Sequence, residues 1–191
     1  LVLDFDAHHG NGTQEIFWGE PRVVHIDIHQ DGIYPGTGYV DDIGGPGAEG
    51  TKLNIPLPRG AGDREFMWIL EGIVKPVVEA FKPDAIVVSA GFDSHRDDPL
   101  AGLEATEEAY CSYAKLLARM LRDGKIKTVI TVLEGGYSDG LRKGIKAYSE
   151  ALLELRECKH IEPREPPKHI ARELSRITSR YWGFSVNVDG G

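Results

Sequence analysis

Four short runs rich in Val and Ile, at residues 1–5, 22–28, 85–89 and 128–133, constrain this chain more than anything else in it. None shows clean alternation of apolar and polar residues. A strand that stays apolar along its length suits a sheet covered on both faces by helices, as parallel sheets are. Stretches of helical period lie between the runs. One spans 63–81, with Asp63 placed as an N-cap and Pro83 just past its end. Another spans 106–121, with Thr106, Glu107 and Glu108 at its start and Gly124 at its stop, and a third spans 138–155. The repeated strand–loop–helix order predicts an α/β fold, three layers around a parallel sheet with right-handed crossovers.

Residues 32–62 are crowded with Gly and Pro, show little period, and read as a long ordered surface loop, a length that compact domains usually keep for function. From Glu162 the chain turns Pro-rich and charged, with a helix expected over 170–180. Residues 1–160 are therefore read as a domain and 161–191 as an arm packed on another surface or another subunit. The first run looks like a central buried strand, with chemistry only a few residues later, so the domain is read as incomplete at its N-terminus. The formal net charge of −8 argues against non-specific binding to nucleic acid, whose backbone asks for a surplus of Lys and Arg. No run of about eighteen apolar residues is present to cross a membrane. The two cysteines, Cys111 and Cys158, show no CxxC spacing and read as reduced thiols of a cytoplasmic protein.

Chemistry gathers where these runs end, which is where open α/β sheets bind ligands. Asp4, Asp6 and His8 alternate at the end of the first run and project to one side of an extended backbone. Two carboxylates crowded on a buried face repel each other unless a cation neutralises them. Imidazole with carboxylate is a first-row metal donor set, and catalytic zinc commonly takes three protein ligands and keeps a fourth position open. Asp93, just past the third run, supplies the third ligand to Asp6 and His8. The fourth run ends in Glu134-Gly135-Gly136-Tyr137. Its glycines let the backbone approach a ligand closely, and its phenol can donate a hydrogen bond to an oxyanion. Taken singly, each residue has a plainer reading: a turn cap for Asp4, a solvated Asp93, a core Tyr137. Their joint placement at successive strand ends favours a metal site.

Asp4-Phe5-Asp6-Ala7-His8-His9-Gly10-Asn11-Gly12-Thr13-Gln14, Tyr34-Pro35-Gly36-Thr37-Gly38, Ser89-Ala90-Gly91-Phe92-Asp93 and Glu134-Gly135-Gly136-Tyr137 together resemble the histone deacetylase family, including its prokaryotic amidohydrolase members. The resemblance covers about residues 1–155 and implies a sheet of the arginase/deacetylase type. It implies zinc on Asp6, His8 and Asp93, with Tyr137 polarising the acetyl carbonyl of an acetyl-lysine or a small acetylated amine. Tyr34, Leu100 and Gly136 then line the substrate channel, and leucine at position 100 disfavours polyamines. It further implies a monovalent cation, usually potassium, on Asp4, Asp6, His8, Asp27 and Ile28, where Asp27 replaces a common serine. A second cation loop is implied around Phe17, Glu20 and Val23. The family's general base is one of two adjacent histidines upstream of the zinc strand, oriented by the residues at the positions of Asp4 and Asn11. Those histidines fall outside this chain. Iron(II) is an alternative to zinc for such ligands. The competing readings are a two-manganese ureohydrolase and a non-catalytic subunit, with a homo-oligomer or a second chain completing the domain.

Overall fold

The computed structural model describes residues 1–188. All four apolar runs form strands: β1 Val2–Asp4, β2 His25–Gln30, β4 Ala85–Ala90 and β5 Thr128–Leu133. A further strand, β3 Lys52–Leu57, lies inside the segment read as loop. The five strands are parallel, in the order β3-β2-β1-β4-β5, so the strand carrying Asp4 is central. β3 is an edge strand, and its Pro56 has no N–H to offer a ladder, which is why proline is tolerated there.

The helices follow expectation with small shifts. The first is α1 Asn11–Ile16, which the sequence reading had not separated from the motif around it. The stretch 63–81 becomes α2 Asp63–Ile69, a π-helical turn at Leu70–Val74, and α3 Lys75–Phe81. Gly62, rather than Asp63, is the N-cap of α2, and its N–H donates to Glu65 Oε2 at 2.9 Å. Asp63 instead accepts from the backbone N–H and hydroxyl of Thr106, each at 2.6 Å, so it joins the starts of two helices. Thr106 caps α4 Glu107–Arg122, and Ser138 caps α5 Asp139–Leu152. In the tail, α6 Lys168–Trp182 buries Ile170, Leu174 and Ile177 in the main core, and the Trp182 indole donates to the Gly50 carbonyl at 2.9 Å.

On one face of the sheet Phe5 lies among Phe92, Tyr110, Tyr113 and Tyr148, with ring centroids 6.0, 5.5, 6.1 and 6.0 Å away. This aromatic layer joins β1 to α4 and α5. Within this chain β5 ends the sheet, and its Ile130, Val132 and Leu133 are about half exposed. One expectation is corrected here. Cys111 and Cys158 are not free thiols: they form a disulfide that ties α4 to the segment after α5, with Cα atoms 5.7 Å apart. The cytoplasmic reading rested on reduced thiols and loses that support. No described helix is long and apolar enough to cross a membrane.

Candidate metal centre

The ends of β1 and β4 and the turn after β5 bring Asp6, His8 and Asp93 together, as the spacing of strand and loop residues suggested. His8 Nδ1 lies 3.0 Å from Asp6 Oδ1 and 3.0 Å from Asp93 Oδ2. One ligand atom from each of the three falls within 4.8 Å of the others. Backbone N–H groups hold the carboxylates in place: Ala7 donates to Asp93 Oδ1 at 2.8 Å, His8 to Asp6 Oδ1 at 2.8 Å, and Gly135 to Asp6 Oδ2 at 2.8 Å. Close approach explains two glycines. A Cβ at Gly135 would stand 2.2 Å from Asp93 Oδ2, and one at Gly91 would stand 2.2 Å from Asp6 Oδ2. Burial, reinforced by the charge of Asp6, pushes the Asp93 carboxyl up to about 7. Two carboxylates and an imidazole at this spacing fit a tetrahedral divalent ion with room for a fourth donor.

Tyr137 is exposed at the rim, beyond the left-handed Gly136 at φ 135°. Slight burial and the charges of Asp93, Asp6 and Asp98 hold its hydroxyl above the usual phenol range, so it stays protonated and is a donor. Asp98 is a positioning residue that the sequence reading missed. Its buried carboxylate accepts from Leu100 N–H through Oδ1 and from Tyr137 N–H through Oδ2, both at 2.9 Å, clamping the two rim segments together. Leu100 is 60% and Tyr34 80% exposed. Tyr34 precedes a cis proline. Asn11 opens α1 and is exposed to solvent.

A second polar cluster lies on the buried face of β1 and β2. The register pairs Asp4 with Asp27. The side chains of His25, Asp27 and His29 share this face, because they alternate along β2. His29 Nδ1 faces Asp27 Oδ1 at 2.7 Å, and its Nε2 donates to the Gly38 carbonyl at 3.0 Å. Burial works against charge on His29, but Asp27 outweighs it and raises the imidazole above its ordinary value. Burial likewise works to raise Asp27, but His29 and the neighbouring histidines hold it below the carboxylate range. Asp4, desolvated and beside Asp27, is pushed up to about 7. Ile28 is buried on β2. At the loop assigned to a second cation, the Val23 carbonyl instead accepts from the buried Lys52 ammonium at 2.9 Å, and Thr51 Oγ1 accepts from it at 2.7 Å. Burial lowers that ammonium to about 8. The two carboxylate–histidine clusters share no residue, so they do not form the carboxylate-bridged pair that a two-manganese ureohydrolase needs.

These titrations carry a consequence for the metal-free protein. Asp4 and Asp93 keep protons to about pH 7 when folded, whereas the unfolded chain releases them near 3.8. The folded state therefore binds more protons in that window, and its stability falls as pH rises through it. Thermal melts in chelator should show Tm dropping between about pH 4 and about pH 7. A Tm that climbs across this window contradicts the assignment.

A parallel α/β domain with a carboxylate–imidazole cluster at the strand ends defines the class, and comparison with known proteins narrows it. The histone deacetylase domain model matches residues 1–152, and the chain belongs to that family. A probable deacetylase of Methanothermobacter thermautotrophicus is 55% identical over 188 residues, covering 96% of this chain and 54% of the relative. Chloroplastic histone deacetylase 14 of Arabidopsis thaliana is 44% identical over 154 residues, covering 80% of this chain and 36% of the relative. Among solved structures, the HDA15 HD domain superposes with TM-score 0.80 at 34% identity, over 95% of this chain and 50% of that one. Acetylpolyamine aminohydrolase from Burkholderia pseudomallei gives 0.72 at 32% identity, over 82% and 45%. The chain spans about half or less of the length of these relatives.

Proposed function

We propose that the protein carrying this chain is a zinc-dependent amidohydrolase that removes acetyl groups from acetyl-lysine or from small acetylated amines, yielding amine and acetate. The convergence of Asp6, His8 and Asp93 at strand ends supports this reading more than any other observation. The names of the relatives, probable deacetylase and acetylpolyamine aminohydrolase among them, agree with it. Zinc held by those three residues supplies Lewis acidity toward an amide carbonyl and acidifies water.

The chain's own residues divide the remaining work. Tyr137 donates its phenolic proton in a hydrogen bond to the oxygen that becomes negative as the amide is attacked. Asp98 holds the backbone of Tyr137 against that of Leu100, which sets where an entering acyl chain meets the phenol. Gly136 takes the positive φ, 135°, that the turn into Tyr137 requires. No residue of this chain is assigned as the base that takes the proton of water.

Tyr137→Phe is expected to retain zinc and lower kcat by about 10²–10³, the cost of one oxyanion donor. Unchanged kcat removes Tyr137 from the reaction. The reading as a whole is tested by acetate release from an acetyl-lysine peptide and an N-acetylated diamine, using full-length zinc-loaded protein. Release from either substrate, abolished by chelation and restored by zinc, is expected. No release from either rejects the proposal.

A further inference from the structure

We propose that the Cys111–Cys158 disulfide is a thiol-exchange switch, opened at Cys158 by a dithiol, whose reduction loosens the loop that carries Asp93 and Asp98. The two sulfurs are unequally reachable. Cys111 is 0% exposed inside α4, whereas Cys158 is only partly buried and lines a surface groove of about 420 Å³. Disulfides that solvent can reach are the labile ones, and attack on this one has a single way in. A thiolate of the dithiol attacks Cys158 Sγ, the S–S bond breaks, and Cys111 leaves and takes up a proton in the core. The second thiolate of the dithiol then attacks the mixed disulfide and releases Cys158 as a thiol. The reductant ends as its own disulfide, and two electrons and two protons have passed to the protein.

The bond anchors one end of a strap, residues 156–164, that runs from the start of α4 to the start of α2. Glu108, buried in the first turn of α4, accepts from Arg156 Nη2 at 2.7 Å and from the Lys159 N–H at 2.9 Å. At the far end the Arg164 N–H donates to the Arg64 carbonyl at 3.0 Å, and Arg64 Nε donates to the Glu162 carbonyl at 3.1 Å. Arg164 also pairs with the buried Glu65. These links preserve the fold when the bond opens, but polar contacts alone hold a segment more loosely than a cross-link does.

What the strap steadies is the frame of the metal loop. Just before α4, the Ala105 N–H donates to the Ser94 carbonyl at 3.1 Å, and the Arg96 N–H donates to the Ala105 carbonyl at 2.9 Å. Glu107, beside Glu108, brings its carboxylate to 3.6 Å from Nε2 of the buried His95. The first turn of α4 is thus tied to residues 94–96, one residue from Asp93 and two from Asp98. An effect on turnover rests on the deacetylase reading, whereas loosening of the loop does not.

The test is hydrogen exchange, read by mass spectrometry on the full-length metal-free protein before and after dithiothreitol. Without reductant, iodoacetamide should label neither cysteine. Glutathione should leave its mixed disulfide on Cys158 and none on Cys111. Reduction should speed exchange of residues 94–108 by about tenfold, leave β1 and β2 unchanged, and reverse on reoxidation. Cys158→Ser should exchange fast from the outset and not respond to dithiothreitol. Loaded with zinc, this variant should also release acetate about tenfold more slowly than oxidised wild type. An oxidised wild type that releases no acetate rejects the proposed function, and the exchange data then decide the switch alone. The switch is overturned if iodoacetamide labels both cysteines without reductant, or if the bond resists dithiothreitol until the protein unfolds. It is equally overturned if faster exchange stays within 156–164 and residues 94–108 do not change.

Discussion

Asp93→Ala is expected to abolish zinc binding at the Asp6–His8 cluster and to lower deacetylation by at least about 10³-fold, the scale on which loss of an essential catalytic group acts. Asp93 is fully buried and its Oδ2 lies 3.0 Å from His8 Nδ1, so no water can take over its place as a fixed anionic donor. The fold should survive. The substitution frees one backbone N–H, that of Ala7, but also removes a carboxyl that burial and Asp6 make costly to ionise. The metal-free variant should therefore melt near the metal-free wild type at pH 8, and Zn²⁺ should protect it less than it protects wild type. Zinc retained at wild-type affinity in the Asp6–His8 cluster would exclude Asp93 as a ligand.

Gly135→Ala should do nearly as much harm without touching a ligand. The new methyl would lie 2.2 Å from Asp93 Oδ2 and 2.7 Å from Asp6 Oδ2, both well inside contact distance. Neither carboxylate can swing away freely, because Ala7 N–H holds Asp93 Oδ1 and His8 N–H holds Asp6 Oδ1. The expected result is a folded protein with zinc affinity and turnover each reduced by about 100-fold or more. Isothermal titration with Zn²⁺, run beside a thermal melt, separates this from unfolding. Affinity equal to wild type shows that Gly135 sits farther from Asp93 than a 2.2 Å approach of its Cβ requires.

Much of this was readable in the order of residues. Strands β1, β4 and β5 are short and mostly apolar, and the side chains that converge stand at their carboxyl ends, where parallel topology must gather them. What stayed hidden needed partners distant in sequence. β3 alternates Leu53, Ile55 and Leu57 with Lys52, Asn54 and Pro56, yet glycines around it and the proline within it disguise an edge strand as loop. His25 and His29 belong to an alternation in β2, polar on one side and apolar on the other, but the polar side is buried too. Burial of that side comes from Gly10 and Gly38 closing over it, which no local pattern announces. The disulfide joins residues 47 apart, and its pairing depends on how α4 meets the segment beyond α5. Asp98 looks like an ordinary loop acid until its two backbone partners are seen.

The central claim is that Asp6, His8 and Asp93 hold one divalent ion with a coordination position to spare. Anomalous diffraction at the zinc edge from crystals of the full-length protein tests it most directly. The account predicts a zinc peak about 2.0–2.2 Å from His8 Nδ1 and from an oxygen of each carboxylate, with a non-protein ligand completing a tetrahedron. Zinc bound elsewhere, with the Asp93 carboxylate turned away from His8 and no peak between them, contradicts it.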